Sequence, residues 1–192
     1  LAVVLLWGMW SVSRQQALSD KVVRLHILAN SDTESDQTLK LQVRDAVLEE
    51  AEQLLQSCGD REEAQRVLNR ALPEIQTLAE NEIAARGYDY AVTAELTDTA
   101  FPTREYGDFT LPAGRYLALR IVIGAGEGHN WWCVVFPPLC AESVTDVAET
   151  AMSAGFSEDD VKLMTEEENG YVLKFKSIEL WQKLKAYLSR ER

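Results

Sequence analysis

Four segments of the chain have the hydrophobic pattern of β-strands. They are residues 22–28, 92–97, 117–123 and 131–136. The first is mostly apolar and places Arg24 and His26 on one face, and the second and third alternate apolar with polar side chains. Because successive side chains of a strand point to opposite faces, these segments predict the strands of a small, mostly antiparallel sheet.

Two longer stretches between the first and second strand segments have apolar residues at helical spacing. One runs from Leu39 to Leu55 and the other from Ala64 to Ile83. Each stripe is one-sided, so the pair predicts a helical hairpin whose apolar faces are covered by the sheet. The expected fold class is therefore α+β, with one domain over residues 22–192 and a C-terminal helix over residues 178–188. A short helix near residues 144–154 and a strand at 171–175 complete the prediction.

The ends of these helices carry their own signals. Ser31 with Glu34 fits the capping-box pattern at the start of the first helix better than Thr33 with Asp36 does. Pro73 lies within the second apolar stripe and predicts that this helix is kinked or divided in two.

The N-terminal residues 1–10 form an apolar run without charges. The run is too short to span a bilayer, and it is typical of the end of a signal peptide's hydrophobic region or of a truncated anchor. Residues 11–21 are polar and are predicted to be a tether. We expect an exported domain with membrane contact through the N-terminal segment, cleaved or uncleaved. The alternative is a buried N-terminal strand.

The balance of charges narrows the range of partners. The 192 residues contain 31 acidic and 19 basic side chains, which gives a formal net charge of −12. A nucleic-acid ligand requires clustered Lys and Arg to neutralise phosphates, and the sequence has no such cluster. Nucleic acid is therefore not an expected partner, and contact with anionic lipid would have to be apolar.

Cys133 and Cys140 flank an apolar segment that contains Pro137 and Pro138. In an exported domain a disulfide between them is chemically allowed, since a bend at the two prolines would fold the segment back. The alternative is a pair of buried thiols that act as small apolar residues. Both interpretations stay open, and Cys58 is left over in the first.

The sequence contains residue types that could form a metal site or a nucleophilic site. His26, His129, Cys133 and Cys140 have suitable ligand atoms but no standard zinc spacing. Cys133, His129 and Asp32 contain the groups of a nucleophilic site, which makes an envelope hydrolase the alternative function. No cofactor is expected, because the glycine-rich residues 124–128 lack the Lys of a phosphate-binding loop.

Trp131 and Trp132 are adjacent in the fourth strand segment, so their rings are expected on opposite faces of the sheet. One ring can enter the core against the helices. The other is either covered by further structure or offered to a partner, and Trp is enriched among residues that dominate binding energies.

Three stretches of the sequence resemble the stage II sporulation protein R family of endospore-forming bacteria. They are residues 24–32 with 36–37 and 43–47, residues 101–108 with 111–114, and residues 130–140. Their order and spacing match the family over residues 22–140.

The resemblance implies a signalling protein that is exported from the forespore into the space between forespore and mother cell. There it is expected to activate a membrane-embedded aspartic protease that processes the sigma-E precursor. On this interpretation the chain is an activating ligand and not an enzyme, since the catalytic aspartates belong to the partner. The expected partner-binding residues are Asn30, Asp32, Asn130, Trp131, Trp132, Pro137 and Pro138.

Overall fold

The computed structural model describes residues 15–140 and 146–165. Its strands are β1 (Val23–Leu28), β2 (Val92–Phe101), β3 (Arg104–Glu105), β4 (Thr110–Leu111), β5 (Gly114–Ile123) and β6 (Asn130–Phe136). Its helices are α1 (Glu34–Leu55), α2 (Arg61–Ala85), α3 (Val147–Ser153) and α4 (Glu158–Thr165), and residues 15–19 are also helical.

Four strands form one sheet in the order β2-β5-β1-β6. β1 runs parallel to β5, with Val23 opposite Leu117, and antiparallel to β6. β2 is antiparallel to β5. The prediction of an α+β fold with a mostly antiparallel sheet is thus confirmed. Strands β3 and β4 pair separately as a small hairpin over residues 104–111.

Helices α1 and α2 pack against each other and against one face of the sheet, which we call the helix face. The apolar stripe of each helix meets alternate residues of the strands, such as Leu25, Ile27 and Ile121, all of them fully buried. Because each element hides its single apolar side against the others, this cluster forms the main core.

Helices α1 and α2 each differ from the prediction at one point. Thr33 and not Ser31 is the N-cap of α1, and its hydroxyl accepts a hydrogen bond from the Asp36 N–H. Ser31 lies two residues before this N-cap, where its hydroxyl accepts from the Thr33 N–H at 3.3 Å and donates to the Asp36 carboxylate. Of the two outcomes predicted at Pro73, a kink or a division, the division is wrong, since α2 continues through it. Leu68 and Ile75 are fully buried on either side of Pro73, and their packing offsets the hydrogen bond that proline cannot make.

The opposite face of the sheet, which we call the polar face, carries Arg24, His26, Tyr116 and Trp132. A second cluster of buried residues covers this face, drawn from residues 18–22, from 101–118 and from the α3–α4 region. Leu18 is fully buried there, and Lys21 forms an ion pair of 2.7 Å with Asp160. Residues 15–21 therefore pack against the domain, although the sequence pattern assigned them to a tether.

Several predictions fall outside the described residues. These are the apolar run at 1–10, the strand at 171–175 and the helix at 178–188. Within residues 15–140 and 146–165, none of the helices combines the length and the hydrophobicity needed to cross a membrane.

Candidate functional site

The side chain of Asn30 fixes the turn that follows β1. Its Nδ2 donates to the Asp36 carboxylate at 2.8 Å, and its Oδ1 accepts from the Ala125 N–H at 3.0 Å. Ser31 donates to the same carboxylate at 2.6 Å. Hydrogen bonds from Ser31 and Asn30 hold the pKa of Asp36 below its ordinary value. Asn30 therefore connects the end of β1, the start of α1 and the glycine-rich turn.

The glycine-rich turn between β5 and β6 lies close against this connection. Gly128 is buried, and a Cβ at this position would collide with the carbonyl oxygen of Ser31. The N–H groups of Glu127 and Gly128 donate to the carbonyls of Asn30 and Ala29 at 3.2 and 3.0 Å. Glycine is required at 128 because no side chain fits between the two backbones.

Three residues next to the turn, Asp32, His129 and Asn130, form an exposed polar patch that we call the rim. Asp32 Oδ1 accepts from the His129 N–H at 2.6 Å and also contacts His129 Nδ1. The two side chains are 54% and 77% exposed. Beneath them, Lys40 donates to the His129 carbonyl at 3.0 Å. Burial lowers the pKa of Lys40. The rim is thus solvent-facing but rests on a buried, hydrogen-bonded support.

Asn130 connects the rim with the polar face. Its side-chain Oδ1 lies 2.7 Å from Nε2 of His26, which therefore acts as the donor. The His26 ring in turn lies 5.8 Å from the ring of Trp132. These contacts connect the rim to the aromatic residues of the polar face.

The two tryptophans lie on opposite faces, as expected for neighbours in a strand. Trp131 packs against the helix-face core, with the Arg44 guanidinium 5.0 Å from its ring centre. Trp132 packs against the polar-face cluster, and the Arg104 guanidinium stacks over it at 4.0 Å. Each ring is half-buried, so each still presents an edge at the surface.

Cys133 is paired with Cys140, and their Cα atoms are 6.1 Å apart, a separation that a disulfide spans. Cys133 is also buried on the helix face. The nucleophilic arrangement of Cys133, His129 and Asp32 therefore lacks a free thiolate, although Asp32 and His129 do meet. Cys58 is the free cysteine of the described residues, and burial raises the pKa of its thiol.

The predicted partner-binding residues are unequal in exposure. Asp32 and Asn130 are exposed, Asn30, Trp131, Trp132 and Pro138 are partly buried, and Pro137 is buried. Pro137 offers no side-chain surface because the chain turns inward between Phe136 and Leu139, which are both buried. Asn30 is occupied by internal hydrogen bonds. The accessible part of the predicted set is therefore Asp32 and Asn130, with the partly buried Trp131, Trp132 and Pro138.

Sequence reasoning missed the burial of Arg24. This side chain is fully buried, and its guanidinium lies 4.0 Å from the ring centre of Phe101 and 5.0 Å from that of Tyr116. It also donates a hydrogen bond to the hydroxyl of Tyr106. Burial lowers its pKa. Alternation along β1 correctly placed Arg24 on the same face as His26. No pattern in the sequence near Arg24 shows that the hairpin over residues 104–111 covers it.

Metal binding finds no support in the same region. Across residues 15–140 and 146–165, no group of three or more His, Cys, Asp or Glu side chains is arranged to hold a metal ion. In particular, the two cysteines with suitable ligand atoms, Cys133 and Cys140, are joined to each other.

The fold and the rim define a class of protein: an α+β domain with a rigid, exposed polar patch at one end of its sheet. The model of the family described as stage II sporulation protein R matches residues 19–146. The chain is also 42% identical over 130 residues to stage II sporulation protein R of Bacillus subtilis (strain 168). That match covers 68% of this chain and 58% of the Bacillus protein. The chain belongs to the stage II sporulation protein R family.

This membership supports a role in sporulation. The chain spans less than two thirds of the length of the Bacillus protein, so that protein's partners and activity are not carried over as facts. No solved structure matches the chain.

Proposed function

We propose that the chain is an exported signal of endospore formation that activates a membrane-embedded aspartic protease, which then processes the sigma-E precursor. On this proposal it acts by contact and performs no chemistry of its own. The proposal rests on membership of the sporulation family and on the resemblance of its three sequence stretches to that family.

The observation that carries the proposal is the form of the rim. Asp32 and His129 are exposed, yet they are hydrogen-bonded to each other, and the buried Lys40 holds the backbone carbonyl of His129 from beneath. A surface that is already ordered loses little conformational entropy on binding, which favours affinity. The rim also lies within residues 19–146, the part that matches the family.

Export is part of the same proposal. The apolar run at residues 1–10 suits a signal or an anchor, and the pairing of Cys133 with Cys140 is of the kind that persists in oxidising compartments. The proposed location is the space between forespore and mother cell, with membrane contact through the N-terminal segment.

The first experiment replaces Asp32 and His129 with alanine in the full chain. The variants are co-produced with the protease and the sigma-E precursor, and processed and unprocessed sigma factor are compared on gels. Loss of a central contact of about 2 kcal/mol weakens binding about 30-fold, so processing should fall strongly. Pull-down with the extracytoplasmic part of the protease reports the same loss directly.

The control for this experiment is Asp98→Ala. Asp98 is an exposed carboxylate, 60% accessible, that pairs with Arg115 on β2 and β5, on the opposite edge of the sheet from β6. It changes the net charge as Asp32→Ala does and should leave processing intact. Normal processing by folded Asp32→Ala and His129→Ala chains would refute the contact surface.

A second experiment separates the signal from the alternative hydrolase. The double variant Cys133→Ala/Cys140→Ala removes both sulfurs and opens a loop with a sequence separation of 7. Loop-closure entropy predicts a loss of about 2.5 kcal/mol of unfolding free energy, measured in urea. Processing at 25 °C should persist if the chain stays folded by circular dichroism. A folded double variant without activity would favour the hydrolase.

A further inference from the structure

Unpaired polar atoms are concentrated on the polar face. Within the part of the chain that the structure describes, five buried side-chain nitrogens have no hydrogen-bond partner. Four of them belong to Arg24 (Nε and Nη1), His26 (Nδ1) and Trp132 (Nε1), and the fifth is Nε of Arg61. The rings or guanidinium of all three side chains in the first group lie next to the Phe101 ring, at 4.0, 5.9 and 6.3 Å from its centre.

The charge of Arg24 is also uncompensated. The groups that influence it are Tyr106, Tyr116 and Arg104, and no carboxylate of the described residues is among them. The facing aromatic rings stabilise a cation. They do not replace an anion, however, because removing a guanidinium from water costs more than such contacts return. Of the four atoms, His26 Nδ1 is an acceptor, because Nε2 carries the proton that His26 donates to Asn130. The other three, Arg24 Nε, Arg24 Nη1 and Trp132 Nε1, are donors, and the acceptor that they lack would carry negative charge to match the guanidinium.

We propose that Arg24 and Trp132 form a binding site for a carboxylate group of the partner protein. The inference deepens the proposed function and rests on it, since it assumes that the chain acts by contact. A carboxylate suits a guanidinium in geometry and charge. Arg104, which stacks on Trp132 at 4.0 Å and has an exposed side chain, adds a second positive charge on the approach to the site.

The hairpin over residues 104–111 closes this site in the present structure. Tyr106 on the hairpin accepts a hydrogen bond from Arg24 and stacks on Phe109, with ring centres 4.9 Å apart. Tyr106 thus takes one position of the guanidinium that a carboxylate would occupy. Binding therefore requires the hairpin to move. The site connects to the rim through the contacts of Asn130 with His26 and of His26 with Trp132.

The test uses the full chain labelled with ¹⁵N and sodium phenylacetate as the probe, at constant ionic strength maintained with sodium chloride. Two kinds of NMR signal are followed, the indole N–H of tryptophan and the Nε–H of arginine. Trp131→Phe, Trp132→Phe and Arg24→Lys assign them. The signals of Trp132 and Arg24 should shift together and saturate. The signal of Trp131, on the opposite face, is the internal control and should not move.

Two variants sharpen the result. Arg24→Met should weaken the apparent affinity, read from the Trp132 signal, by at least tenfold. Tyr106→Phe, which removes only the hydroxyl that competes for Arg24, should strengthen it by a few-fold. No saturable shift at Trp132 and Arg24, in either the wild type or Tyr106→Phe, would overturn the proposal.

A separate experiment tests whether the carboxylate comes from a partner or from the chain itself. The chain contains an acidic run at residues 166–168, which lies outside the described residues. If Glu166→Gln, Glu167→Gln and Glu168→Gln together shift the Arg24 signal before any probe is added, the site is filled by the chain itself. That result would overturn the assignment to a partner. Because the titration needs no protease, its failure is separate from a failure of the processing assay.

Discussion

The helix face and the polar face of the sheet come from the same four strands but hold different side chains. Along β1, Leu25 and Ile27 enter an apolar core against α1 and α2, while Arg24 and His26 alternate with them on the other side. Both sets are buried. The helix face is stabilised by the packing of apolar side chains. The polar face retains charged and hydrogen-bonding groups, and packing does not require such groups to be buried.

This difference separates stability from function. A buried apolar residue is explained by the core that it fills, whereas a buried cation without an anion is not explained by folding. The polar face also connects with the exposed rim through Asn130 and His26. We therefore expect substitutions in the helix-face core to affect mainly folding, and substitutions of Arg24 and of the rim to affect mainly the proposed activity.

The largest effect is expected on the helix face. Ile27→Ala leaves a cavity in a fully buried site, and its unfolding free energy in urea should fall by about 3 kcal/mol. Ile27→Val removes one methylene and should cost about 1 kcal/mol. Processing by the fraction that remains folded should be unchanged. A loss below that of Ile27→Val would show that the helix face is not the main source of stability.

A smaller effect of opposite sign is expected at Arg24. Arg24→Met replaces an unpaired buried charge with an apolar chain of similar length, and the unfolding free energy should rise by about 1 kcal/mol. Processing of the sigma-E precursor should nevertheless fall. Arg120→Met is the control, because Arg120 lies on the same face but is partly exposed and paired with Glu95 at 2.7 Å. It should lose no more than about 1 kcal/mol. Strong destabilisation of Arg24→Met would make Arg24 a structural residue.

The smallest effect is a pH dependence at His26. Burial holds the pKa of His26 below its ordinary value of 6.5 in the folded chain. As the pH falls below 6.5, the unfolded chain binds a proton at His26 before the folded chain does. The free energy of unfolding therefore decreases as the pH falls from 6.5 through the folded pKa. Asp36, whose pKa is lowered from 3.8, acts at lower pH.

The measurement is the urea midpoint between about pH 7 and about pH 5, a window set by the ordinary pKa of His. His26→Gln should flatten the decline seen in the wild type. His129→Gln, which alters a side chain that is 77% exposed, should retain it. Equal slopes for the wild type and His26→Gln would show that His26 does not contribute.

Local patterns were enough to predict the four strands, the helical hairpin and the opposite orientations of Trp131 and Trp132. They were also enough to place Arg24 and His26 on one face. They did not reveal what covers that face, because residues 104–111 are far from β1 in the sequence and meet it only in the folded chain, as in the hydrogen bond from Arg24 to Tyr106. The cap at Thr33 was ranked second to Ser31, because spacing alone does not show that the Ser31 hydroxyl bonds the Asp36 carboxylate from outside the helix.

The position of β1 in the sheet has a consequence for how the chain is made. β1 is synthesised early, yet its neighbours are β5 and β6, and Val23 pairs with both Leu117 and Phe136. The centre of the sheet cannot assemble until those late segments have left the ribosome, and such non-local pairing folds slowly. The sheet is therefore completed only after most of the chain has been made, whereas α1 and α2, which are neighbours in sequence, can pack against each other earlier.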